Sequence, residues 1–293
     1  MERIGVNSVR ELLNSHGFSF TKSLGQNFLI DGNIPEKIVR LSEINSSNGV
    51  FEAGAGIGAL TIELSRSAGQ VLAVEIDKRL LPILDDVLSD KKNVEIIHGD
   101  FLKVDISDLV KTKMQGLKPV VCANLPYNIT SPAISAFIHA EVFDHITVMV
   151  QREVAQRICA VPNSPEYGAF TVFVNYHTKP EILFDVSPDC FMPKPKVWSS
   201  VVRMKTKTEK LFEQKDEKLF FSLVKAAFSQ RRKTLVNALH GSFGRSMSKN
   251  EISSIIEEGG FIALTRGETL GVEDYAKLVP LFRGHIDPHE KES

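Results

Sequence analysis

At 293 residues the chain is longer than a single hydrophobic core comfortably fills, so a large domain with a smaller appendage is expected. With 43% hydrophobic and 24% charged residues, and no apolar run approaching the roughly 18 residues of a membrane span, a soluble protein without a membrane partner is expected. The formal net charge of -1 excludes a chain that is basic throughout, so any surface for a polyanion has to be local.

The first ten residues hold no apolar stretch followed by a small-residue cleavage site, which makes a cytoplasmic location the expectation. Cys122, Cys159 and Cys190 are widely spaced and lack any C-x-x-C pairing, which argues against a disulfide framework and against a metal site.

Short apolar runs at 50–53, 71–76, 94–98, 120–123 and 146–151 predict buried strands. Stretches with apolar spacing of three and four separate them, such as Leu80, Leu81, Leu84 and Leu88. This β-α-β-α order predicts an α/β fold with a mostly parallel sheet covered by helices. After Arg203 the chain turns lysine-rich and then purely helical, so a domain boundary is placed near Thr206. Phe220, Leu223, Val224, Ala227, Phe228, Leu235 and Leu239 share one helical face from which Arg231 would also project. A break near Ser229 and Gln230, or a buried partner for Arg231, is therefore expected.

The first strand runs into Phe51-Glu52-Ala53-Gly54-Ala55-Gly56-Ile57-Gly58, a glycine turn opening a helix, where a ligand can approach the backbone closely. About twenty residues on, Glu75 stands at a strand end, placed to accept hydrogen bonds from both hydroxyls of a ribose. These two features suit either a nicotinamide dinucleotide or S-adenosylmethionine. Asp100, followed by Phe101, ends the third strand and favours the second, since a carboxylate there accepts from an adenine amine while the ring packs on the base. Its alternative is a cap for the next segment.

The fourth strand ends in Asn124-Leu125-Pro126-Tyr127, the residue types of the [D/N/S]-P-P-[Y/F/W] motif of amino-methyltransferases. The Asn124 side-chain oxygen and the Leu125 or Pro126 carbonyl can hold the hydrogens of an aromatic amine, aiming its lone pair at a sulfonium methyl. Tyr127 offers a face to a base taken out of its stack.

Taken with Lys22-Ser23-Leu24-Gly25-Gln26-Asn27-Phe28-Leu29, Val150-Gln151-Arg152-Glu153, Phe191-Met192-Pro193-Lys194-Pro195-Lys196 and Ser229-Gln230-Arg231-Arg232-Lys233, these segments make the chain resemble the KsgA/RsmA group of ribosomal RNA adenine N6-dimethyltransferases over nearly its whole length. The resemblance implies a Rossmann-like class I methyltransferase domain over 1–206. Its seven-stranded, mostly parallel sheet would have an antiparallel last strand, its segment 1–32 would close over the cofactor, and a small all-α RNA-binding domain would follow at 207–293. It further implies S-adenosyl-L-methionine contacts at Asn27, Leu29, Gly54, Gly56, Glu75, Asp100 and Asn124. Catalytic roles would fall to Asn124, Pro126 and Tyr127, and Phe191 would stack on the flipped adenine opposite Tyr127.

The implied substrate is a pair of adjacent adenosines in the 3′-terminal hairpin loop of 16S ribosomal RNA, modified in the small ribosomal subunit by a monomer without metal. Ala53, Ala55 and Trp198 depart from the family pattern. Between 194 and 233, twelve lysines and arginines face four acids, and Lys194, Lys196, Arg231, Arg232 and Lys233 become candidates for phosphate contacts. Rival readings are an Erm-type methyltransferase of 23S ribosomal RNA, a small-subunit assembly factor whose binding outweighs its catalysis, and a nicotinamide-dependent dehydrogenase.

Overall fold

The computed structural model describes residues 6–20 and 25–285, so Lys22, Ser23 and Leu24 of the first motif lie outside the described residues. The chain divides into two compact units, one from 1–155 and 180–206, the other from 156–179 and 207–293.

The first unit contains α1 (Val6–Ser15), β1 (Phe28–Leu29), α2 (Asn33–Leu41), β2 (Asn48–Ala53), α3 (Ala59–Ser67), β3 (Gln70–Glu75), α4 (Leu81–Val87) and β4 (Val94–His98). It continues through α5 (Ile106–Lys113), β5 (Lys118–Asn124), α6 (Thr130–His139), β6 (His145–Gln151) and the start of α7 (Arg152–Ile158). The chain returns to it within β7 (Thr178–Val186) and adds β8 (Phe191–Met192) and β9 (Ser199–Thr206).

Among the described residues these strands form a seven-stranded sheet in the order β4-β3-β2-β5-β6-β9-β7 and a two-stranded pair of β1 with β8. The strands β2 to β6 pair in parallel, and β9 runs antiparallel to β6. All five strands expected from the apolar runs are present.

Both faces of the sheet are covered, which explains why its central strands are nearly continuous apolar runs. Successive residues of β2 point to opposite faces. Val50 joins a core with Leu64, Ile83 and Leu84, whereas Phe51 packs with Phe137 and Phe143, and Phe137 in turn stacks on Phe101 with ring centroids 5.8 Å apart. The chain builds outward from β2 through β3 to β4, then returns to lay β5 on the other side of β2. That reversal opens a crevice beyond the carboxyl ends of β2 and β5, where ligands bind in sheets of this kind.

The second unit holds α8 (Ala169–His177), α9 (Gln214–Ser229), α10 (Leu235–Phe243), α11 (Lys249–Glu258) and α12 (Val272–Phe282). The single boundary near Thr206 is incomplete, because segment 156–179 groups with the C-terminal helices. The physical reason is a shared core: Tyr167, Val172 and Tyr176 are buried with Phe220, Leu223, Tyr275 and Phe282, and the Tyr167 hydroxyl donates to the Leu270 carbonyl at 2.8 Å. The expected break is present. Helix α9 stops at Ser229, and α10 starts after Thr234, whose hydroxyl caps it by accepting from the Asn237 N–H. Arg231 thereby leaves the apolar face and pairs with Glu268 at 2.6 Å.

Phe137 is fully buried and joins both the sheet and Phe101, which lines the crevice. Replacing it with Ala is expected to cost about 3–5 kcal/mol, read as a shift in the urea midpoint followed by far-UV circular dichroism. A loss under about 1 kcal/mol would show that the aromatic cluster does not hold this face together.

Candidate active site

A cleft of about 910 Å³, open mouth included, lies over the carboxyl ends of β2, β3 and β5. Its lining includes Asn27, Leu29, Gly54, Gly56, Glu75, Asp100 and Asn124, so all seven residues expected to hold the cofactor are brought to one place, together with Pro126 and Tyr127.

The turn after β2 is shaped by Gly56, whose φ of +58° suits a residue without Cβ and whose N–H donates to Glu75 Oε2 at 2.8 Å. The other carboxylate oxygen, Oε1, accepts from the Asp77 N–H at 2.8 Å. Glu75 is thus pinned by the backbone on both sides, and burial raises its pKa against the pull of those two N–H groups. Asp77 is held down at about 2, first by the Arg79 guanidinium and also by the Gln26 amide, which donates to it at 2.8 Å.

Asp100 lines the cleft while Oδ1 accepts from the Leu102 N–H at 3.0 Å, so it acts as a local turn acceptor and a wall residue at once. The Asn124 amide nitrogen donates to the Asn27 carbonyl at 3.3 Å, which leaves its Oδ1 as the acceptor end. The next two carbonyls differ. Pro126 O already accepts from the Ile129 N–H at 3.2 Å and from the Thr130 hydroxyl at 3.4 Å, which makes Leu125 O the better placed of the two to take a new donor. The Tyr127 phenol shares a 2.7 Å hydrogen bond with Ser199 Oγ, and burial raises its pKa, so the ring is anchored and neutral.

Phe191 is placed otherwise than the resemblance implies. It pairs with Leu29 across the two-stranded sheet, is 3% exposed, packs into the core and is not among the cleft-lining residues. With so little of it exposed, the ring offers no open face for stacking opposite Tyr127. In the first unit Lys194 pairs with Asp189 at 2.5 Å and Lys196 is exposed. In the second unit Arg231, Arg232 and Lys233 are all exposed in the turn between α9 and α10.

Four further residues bear on the site. Gln26 ties the segment before β1 to Asp77, and Ile76 lines the cleft while 50% exposed, an apolar wall suited to a flat ring. Ser199 reaches Tyr127 across 72 positions, which no local signal could reveal. Glu52, inside the quoted glycine motif, is 1% exposed and lines the cleft, and its Oε2 has no well-formed hydrogen bond among the described residues. Burial pushes its carboxyl up to about 8, against the Thr61 hydroxyl and with a further rise from the Glu75 charge.

The model of the family described as ribosomal RNA adenine dimethylase matches residues 17–277. This chain belongs to the ribosomal RNA adenine dimethylase family. Its relatives in the dimethylase family include a protein named ribosomal RNA small subunit methyltransferase A from Lachnoclostridium phytofermentans, 48% identical over 92% of this chain and 94% of the relative. The protein of the same name from Clostridioides difficile is 42% identical over 93% of this chain and 94% of its own length. A crystal structure of a dimethyladenosine transferase from Plasmodium falciparum matches with a TM-score of 0.74 at 26% identity, covering 88% of this chain and 98% of that one. The 23S rRNA methyltransferase ErmE matches with a TM-score of 0.68 at 25% identity, covering 87% and 99%.

Within this dimethylase fold Glu52 makes a prediction about pH. The folded chain keeps a proton that the unfolded chain releases above the ordinary value of 4.5, so Glu52 lowers stability progressively as pH rises from there to about 8. Glu52→Gln is expected to flatten this decline and to be more stable than the natural chain at pH 8.5, on the order of a few kcal/mol. Urea midpoints at pH 5, 7 and 8.5 check it, and parallel curves for the two chains would refute it.

Proposed function

We propose that this chain transfers methyl groups from S-adenosyl-L-methionine to the N6 amines of two adjacent adenosines in the 3′-terminal hairpin loop of 16S ribosomal RNA, in the small ribosomal subunit. The observation that carries this reading is that Asn124, Leu125 and Tyr127 open into the same cleft as the glycine turn and Glu75.

The cleft suits that cofactor. A Cβ built on Gly54 would meet nothing within 4 Å, so the backbone there faces open space, and the orphaned Glu52 oxygen lies in the same wall. Each Glu75 oxygen spends one acceptor site on the backbone and keeps another for a ribose hydroxyl. Asp100 and Ile76 provide an acceptor and an apolar face for an adenine. When bound, S-adenosyl-L-methionine supplies a methyl group already activated by sulfonium charge.

The residues' task is orientation rather than base catalysis. Asn124 Oδ1 and Leu125 O accept the two N6 hydrogens of the extruded adenine and turn its lone pair toward the methyl. As N6 forms its new bond to carbon, the carbon–sulfur bond breaks, and the proton shed by the cationic amine passes to water. After the first transfer one N6 hydrogen remains, so either acceptor alone orients the second. Tyr127, anchored at its hydroxyl by Ser199, stacks on the base. Lys194 and Lys196, and separately Arg231, Arg232 and Lys233, neutralise phosphates of the RNA, with Asp189 and Glu268 giving up their ion pairs as they do so.

The test is methyl transfer from labelled cofactor to unmethylated small subunits, with the modified nucleotides mapped by mass spectrometry. Dimethylated adjacent adenosines near the 3′ end of 16S RNA are expected, and label on 23S RNA alone would overturn the reading. In the same assay Asn124→Ala is expected to lose about 10²–10³-fold in kcat while still binding small subunits. Near-normal turnover would remove Asn124 from the machinery. Replacing Arg231, Arg232 and Lys233 together with Ala is expected to lower the slope of log affinity against log salt for RNA by about 2–3, and an unchanged slope would count against phosphate contact there.

A further inference from the structure

Beside the cleft, the ladder of β6 and β9 ends at the pair Gln151↔Ser199, and one more backbone bond extends it, from the Arg152 N–H to the Trp198 carbonyl at 2.9 Å. Trp198 is therefore set one residue from Ser199, the partner of Tyr127. Its indole remains 44% exposed, with the Arg152 guanidinium 5.7 Å from the ring centroid. A large flat ring is kept in water, one residue along the chain from the hydroxyl that anchors Tyr127, on a backbone held by its bond to Arg152. The loop leading to it carries the exposed Lys194 and Lys196.

An aromatic face backed by a guanidinium, with cations along its approach, is the chemistry that takes up unpaired nucleobases on a phosphate backbone. We propose that Trp198 and Arg152 form a stacking subsite for a nucleotide that flanks the target adenosine, setting which loop nucleotide enters the cleft. The inference rests on the RNA-methylation reading above and adds a residue that determines specificity. A nucleobase fits better than a protein side chain because the lysines and arginine of this patch match phosphate charge.

Trp198 is the single tryptophan of the chain, so its emission reports directly on stacking. The probe is a fluorescein-labelled hairpin RNA with two adjacent unpaired adenosines in its loop, followed by fluorescein anisotropy and, with unlabelled hairpin, by indole emission at fixed salt. Quenching of the indole at saturating RNA is expected. Trp198→Ala is expected to raise Kd about tenfold and Trp198→Phe to keep most of the affinity, with the KM for RNA rising in Trp198→Ala and the KM for cofactor unchanged. Because the side chain is exposed, matching circular dichroism spectra are expected for the variants. Hairpin binding with unmoved indole emission, or an Ala variant as tight as the natural chain, overturns this inference alone, since methylation of whole subunits is read separately. A chain that neither binds the hairpin nor methylates small subunits overturns both readings.

Discussion

The Glu75 carboxylate is the tie on which the cleft depends. One oxygen holds the glycine turn through Gly56 and the other holds the end of β3 through Asp77, each at 2.8 Å. A carboxylate at 4% exposure is costly to bury, and these two backbone donors are what keep it tolerable. Asp77 in turn takes the Gln26 amide, so the segment ahead of β1 is drawn onto the same network, while Asn27 accepts from Asn124 on the far side. A polar chain thus runs from β3 through the N-terminal segment to β5, and the cleft lining at Glu75, Asn27 and Asn124 is held by it.

Two kinds of carboxylate coexist around Glu75. Glu52 is fully buried and carries its proton at neutral pH, whereas Asp77, facing Arg79, stays ionised down to about 2. The difference follows from partners: a guanidinium and an amide face one group, and the other has burial, a poorly aligned hydroxyl and the charge of Glu75. A neutral acid beside an ionised one limits the negative charge gathered in the floor of the cleft, where two buried anions in contact would repel.

The apolar runs of β2 to β6 were legible because strands buried on both faces leave continuous hydrophobic stretches. The short pair β1 and β8 and the strand β7 left no such mark. In β7 several side chains are exposed or half-buried, so alternation is blurred, and a two-residue strand has no period to detect. The membership of segment 156–179 was hidden for a related reason: Val172 and Tyr176 look like any apolar helix residues until Phe220 and Tyr275 are packed against them. Phe191 shows the same limit from the other side. An aromatic residue in a proline-rich loop was assigned to the substrate by resemblance, and pairing with Leu29 placed it in the core.

By itself the sequence determined the order of the parallel strands β2 to β6 and of the helices between them, the glycine turn, Glu75 at the end of β3 and Asp100 just after β4, and the Asn124 to Tyr127 motif, because each is a local pattern of residue type and spacing. Tertiary structure alone decided that Phe191 is buried in the core and that Ser199 Oγ anchors the Tyr127 phenol. Those facts depend on contacts between positions far apart in the chain, and such contacts exist only once the sheet has set its register.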